Sequence, residues 1–173
     1  MSTPPSPALY VVSTRKLYTL FFVTLGLYPV YWSYKNWRLH KDATQVDVYP
    51  VMRGLFFLFF VNQLLEIVEK RLKGSHKEYL GNPQVIATII LALGAAVIAM
   101  DRMSAEGYGL PWTDWLPFAV LPLMAVAMAK AQTLINLSCD DPEGATNSAF
   151  TRWNWTWIVL GGLCWALALI GLT

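Results

Sequence analysis

Charge is what this chain of 173 residues has least of. Only 14% of its residues are Asp, Glu, Lys or Arg, where a soluble domain carries about 25%. A net charge of +2 is too small to imply nucleic-acid binding, so local charge placement matters more than the total. Two cysteines, Cys139 and Cys164, do not make a disulfide framework. His40 and His76 are solitary, with no partner at metal-ligand spacing. No nucleophile elbow, HExxH or phosphate-binding glycine loop occurs. These absences lead to an expectation of no enzyme activity, no cofactor and no metal.

Hydrophobic length is abundant. Three apolar runs, Pro83–Met100, Trp112–Leu137 and Trp153–Leu172, fill the second half. Each approaches or exceeds the ~20 residues that cross a bilayer core. Two shorter, aromatic-rich segments, Leu17–Tyr34 and Val51–Leu72, fill the first half. The expected fold is therefore all-α: an integral membrane helical bundle with four or five embedded helical segments, three of them spans. Residues 1–14, Pro/Ser-rich at their start, are expected to be a disordered tail, and 15–173 a single membrane domain.

The first segment contains Gly26 and Pro29, which weaken a helix interior. It either spans with a kink or dips in and returns. The second becomes amphipathic after Val61, and Glu66/Lys70 and Glu69/Lys73 have the i,i+4 order that supports an exposed helix. If all five segments span, the basic residues divide almost evenly between the two sides. If the first two do not, ten basic residues from Arg15 to Lys77 share one side with Arg152, and only Arg102 lies opposite. The second arrangement obeys the positive-inside rule far better.

Seven of the eight tryptophans sit at or beside segment ends, as an interfacial belt requires. Tyr31, Trp32, Lys35, Trp37 and Arg38 are the candidate interface anchor, an aromatic-basic stretch suited to an anionic lipid surface. Ionisable and polar groups at membrane depth are costly and hence functional candidates. Asn62, Glu66 and Lys130 fit that description, with Glu66 and Lys130 as a conceivable pair on an ion path. Ala92/Ala96 and Ala95/Ala99, with Gly161, Gly162 and Ala166, are surfaces for close helix packing. The acidic run Asp140-Asp141-Pro142-Glu143 reads as a solvated loop in which Asp141 makes a turn or cap.

Three stretches carry a resemblance. They are Val12-Ser13-Thr14-Arg15-Lys16-Leu17, then Gly26-Leu27-Tyr28-Pro29-Val30-Tyr31-Trp32-Ser33-Tyr34-Lys35-Asn36-Trp37, and more loosely Gln132-Thr133-Leu134-Ile135-Asn136 with Asn154, Gly161-Gly162, Trp165 and Gly171. Together they resemble a family of small bacterial multi-pass membrane proteins with a G-L-Y-x-x-Y-W-x-Y-K-N-W signature. The resemblance implies the bacterial inner membrane and brings no activity and no functional residue with it. The expected partners are the lipid bilayer and a second copy or another membrane protein, not nucleic acid. Helix packing with such a partner is the leading functional expectation. A small channel or transporter using Asn62, Glu66 and Lys130 is the alternative, and a lipid-acting enzyme built on Glu66 or Asp140/Asp141 comes third.

Overall fold

A computed structural model describes residues 8–171. It contains seven α-helices and one short 3₁₀ turn, with no strand among the described residues. The helices are α1 (Thr14–Val23), α2 (Tyr28–Thr44), α3 (Pro50–Leu55), α4 (Phe57–Gly74), α5 (Pro83–Ala105), α6 (Trp112–Ser138) and α7 (Arg152–Gly171); the 3₁₀ turn is Ala145–Asn147. Two of them, α5 and α6, are long and apolar enough to cross a membrane. The third long run forms α7, although the last residue expected in it, Leu172, lies outside the described residues.

Local chemistry sets the boundaries. Ser13 caps α1 by accepting the Lys16 N–H. Asn82 caps α5, accepting from Gln84 and Val85, and Pro83 follows as a favoured first residue. Pro29 starts α2 rather than kinking a longer helix. Ahead of it, Gly26 turns the chain with φ +80°, a conformation open mainly to glycine.

That turn returns the chain on itself. Its outer neighbour is Leu121, well inside α6. From there α2 climbs back, so that Trp32 meets Gln132 and Asn36 meets the Tyr10 N–H near the start of α1. A second turn-back lies at Phe56, between α3 and α4. Gly54 of α3 sits against the Val30 carbonyl and Tyr34 of α2. On the other side of the break, Leu58 presses on Gly94, at the middle of α5 (23 residues). α4 then rises until Arg71 reaches the Ser138 carbonyl. The single helix expected over Val51–Leu72 is therefore two. The break lets α3 lie on α2 while α4 packs on α5, a tertiary demand that no helix-breaking residue at Phe56 announces.

Both turns sit beside the middle of a long helix, and both openings face the same end of the bundle. The core forms where α1, α2, α4 and α5 enclose the C-terminal half of α6. Ala125, Met128, Ala131 and Ile135 are buried there, against Leu17, Leu20, Trp32, Leu64, Leu65 and Ile90. α7 leans on α1: Gly161 fits against the Val23 carbonyl, and the Trp165 indole donates to the Phe22 carbonyl at 2.7 Å. Most of the described α7 surface is exposed. The Ala92, Ala95, Ala96 and Ala99 stripe of α5 also faces outward. Within the chain, close approach uses Gly54, Gly94 and Gly161 instead.

Candidate functional site

The polar residues of the apolar helices meet in one place. Gln132 and Asn136, one turn apart on α6, are both fully buried, and so are Trp32 and Asn36, one turn apart on α2. Between the two pairs runs an extended strap, Leu9–Ser13. Leu9 and Val12 have no exposed surface. The tail expected over residues 1–14 is thus not loose from Leu9 onward; residues 1–7 lie outside those described.

The strap has no neighbouring strand, and side-chain amides take that role. The Tyr10 N–H donates to Asn36 Oδ1 at 3.0 Å, and the Tyr10 carbonyl accepts from Gln132 Nε2 at 2.9 Å. Val12 is paired twice with Asn136: its N–H donates to Oδ1 at 3.2 Å and its carbonyl accepts from Nδ2 at 3.0 Å. Asn147 Nδ2 donates to the Val11 carbonyl at 2.8 Å. The amides are themselves fixed. Trp32 Nε1 donates to Gln132 Oε1 at 2.5 Å, Gln132 Nε2 to Asn136 Oδ1 at 2.7 Å, and Asn36 Nδ2 to the Trp32 carbonyl at 2.9 Å. A buried network in which each member has a partner specifies one arrangement of its helices. Gly144 closes the outside, since a Cβ there would lie 2.5 Å from the Val12 carbonyl.

Lys16 extends the clamp to the loop before α7. It is 2% exposed, and its ammonium donates to Asn147 Oδ1 at 2.7 Å and to the Ala149 carbonyl at 2.8 Å. Burial lowers its pKa from the usual lysine value. Asp141, also in that loop, caps the 3₁₀ turn, accepting from the Ala145 and Thr146 N–H groups and the Thr146 hydroxyl. The Thr146 bonds hold its carboxyl below the usual range.

Trp32 and Trp37 are not interface anchors in this fold: they are 0% and 2% exposed. Trp32 belongs to the clamp, and Trp37 lies under the Arg53 guanidinium, 3.9 Å from its ring centre. Arg38 and Tyr31 stay on the surface, and Lys35 stands over the Tyr10 ring. Beside Trp37 is a cleft of about 230 Å³ that also contains His40, Arg53, Gln63, Glu66 and Lys70. Trp37 Nε1 and His40 Nδ1 are buried there without a protein partner. Buried polar atoms in native proteins almost always have one, so the cleft suits a water or a small oxyanion. Burial first, and then Arg71 and Arg53, push the His40 pKa down.

The three candidate intramembrane residues do not come together. Glu66 is exposed and pairs with Lys70 at 2.7 Å, as the i,i+4 spacing predicts; Glu69 pairs with Lys73 at 2.6 Å. Asn62 is half-buried on the same helix. Lys130 opens into a different space, a groove between α5 and α6. Among the described residues no group of three His, Cys, Asp or Glu could hold a metal.

The clamp residues Gln132 and Asn136 were visible in sequence only as a loose motif. Their signal was two amide side chains four apart in an apolar helix. Comparison of the chain with family models, curated proteins and solved structures finds no match.

Proposed function

We propose that the chain is a multi-pass protein of the bacterial inner membrane that acts by packing against a partner, either a second copy or another membrane protein, and not by catalysis. In this reading α5, α6 and α7 cross the bilayer. α1–α2 and α3–α4 enter from the Lys/Arg-rich side, turn at mid-depth and return. Ten basic residues between Arg15 and Lys77, together with Arg152, then share the cytoplasmic side, and Arg102 lies opposite. Irregular backbone at membrane depth is tolerated where protein covers it, and both turns are covered, by Leu121 and by α5.

The observation that carries the partner reading is a division of labour. The deep amides of α2 and α6 are consumed in holding the strap, while the small-residue face of α5 is left outward. Small residues let a second helix approach closely in lipid. The channel alternative needs Asn62, Glu66 and Lys130 on one path, and Glu66 and Lys130 line two separate clefts, neither of which includes Asn62.

Cysteines at Ala92 and Ala96, crosslinked in intact membranes, test the proposal. A discrete adduct with another polypeptide, lost in Ala96→Leu, is expected. No adduct at either site, with the protein inserted and reactive, would overturn it.

A further inference from the structure

The groove between α5 and α6 has no occupant from the chain itself. Its volume is about 1230 Å³, above the ~300–1,000 Å³ typical of small-molecule pockets. Ile86, Ala127 and Leu134 make its floor and are nearly buried, while Val85 and Ile89 stand half-exposed along its wall. Lys130 is the one charge on the α6 wall. It lies about 12 Å below Ser138 at 1.5 Å per residue, and it has no protein hydrogen bond or ion pair among the described residues. At the mouth of the groove Lys77 is held by Asp140 and the Leu137 carbonyl, and Glu78, which also lines the groove, makes no ion pair with Lys130. In that loop Leu80 is 96% exposed, the most exposed large apolar side chain among the described residues.

We infer that this groove binds one anionic phospholipid, its phosphate on the Lys130 ammonium and an acyl chain along Ile89 and Ala127. The inference rests on the membrane reading above. A cation at membrane depth needs an anion, and no carboxylate of the described residues pairs with Lys130. A lysine stem is long enough to lie along an apolar wall and carry its ammonium toward the headgroups. The apolar lining of the groove accounts for a chain, which free phosphate would leave uncovered. Leu80 projects where it would dip into the same leaflet. The groove occupies the upper length of α5, above Ala92–Ala99, so lipid and partner helix use different lengths of that helix.

The test uses the full chain purified in detergent, with phosphatidylglycerol or phosphatidylcholine added and retained lipid read by native mass spectrometry. Wild type is expected to keep phosphatidylglycerol in preference to phosphatidylcholine. Lys130→Met should lower that retention at least tenfold with an unchanged melting temperature, and Lys130→Arg should restore it. Ile89→Trp, which fills the groove and keeps the charge, should also lower it. Equal retention by wild type and Lys130→Met, or no preference between the two lipids, overturns the inference. Alkaline extraction of membranes separates this failure from the other. If the chain leaves the membrane fraction, the membrane reading falls with it. If the chain stays but holds no lipid, only the groove assignment falls.

Discussion

The inner and outer faces of α6 and its neighbours treat polar groups in opposite ways. Inside, Gln132, Asn136, Asn36 and Trp32 are buried and bonded to one another and to the strap. Outside, Lys130 stands alone in an apolar wall, and α5 and α7 present small and aromatic surfaces without a cover. A buried polar group that is fully satisfied is structural. One left without a partner in the chain points to something beyond it. By that criterion the deep amides hold the fold, and the outer surface of α5, α6 and α7 is where the proposed recognition would take place.

The sharpest way to break the inner region is Asn136→Leu. It leaves the N–H and carbonyl of Val12 buried and unsatisfied, at ~1–3 kcal/mol for each. A loss of about 2–6 kcal/mol is expected, seen as a lower melting temperature in detergent and as protease cleavage near the strap. A next step compares adjacent glycines. Gly161→Leu must push α7 from the Val23 carbonyl, 2.1 Å from the new Cβ, whereas Gly162 meets nothing within 4 Å. The first should cost about 1–3 kcal/mol as overpacking and the second within about 0.5 kcal/mol. Trp32→Phe comes third. It removes one donor from Gln132 and should cost about 1–2 kcal/mol. The same change at Trp115, 48% exposed, should leave the melting temperature in place.

The smallest effect is on pH. His40 has a folded pKa below its usual value near 6.5, because burial and two arginines disfavour the charged form. Below pH 6.5 the unfolded chain therefore binds more protons at this site than the folded one does. Its contribution to stability is full above 6.5 and is lost as pH falls through the folded value. Wild type should thus lose more stability between pH 7 and 5 than His40→Gln, measured as the difference between their melting curves. Equal losses would remove His40 from the account.

The parts legible in sequence were those with a periodic or compositional cause. Apolar length predicts α5 and α6, acid-first spacing predicts the Glu66/Lys70 and Glu69/Lys73 pairs, and Gly26-Leu27-Tyr28-Pro29 predicts a break. The α3/α4 break carried no such mark, because packing on α2 and α5 sets it. Trp32 and Trp37 were read as belt residues since a tryptophan at a segment end looks the same whether it faces lipid or protein. The strap was invisible because three of its four amide partners, Gln132, Asn136 and Asn147, are more than 100 residues away in sequence: Val12 meets Asn136 across 124 positions. Five residues, Leu9–Ser13, of an apparent tail leave no periodicity to read.

The central claim is that both N-terminal hairpins enter and leave by the same side. A compartment-sensitive reporter fused after Thr44, Ser75, Glu106 and Gly144 tests it most directly. The account predicts that Thr44, Ser75 and Gly144 report the cytoplasm and Glu106 the opposite side. Opposite readings at Thr44 and Ser75 would make α3–α4 a crossing segment and contradict it.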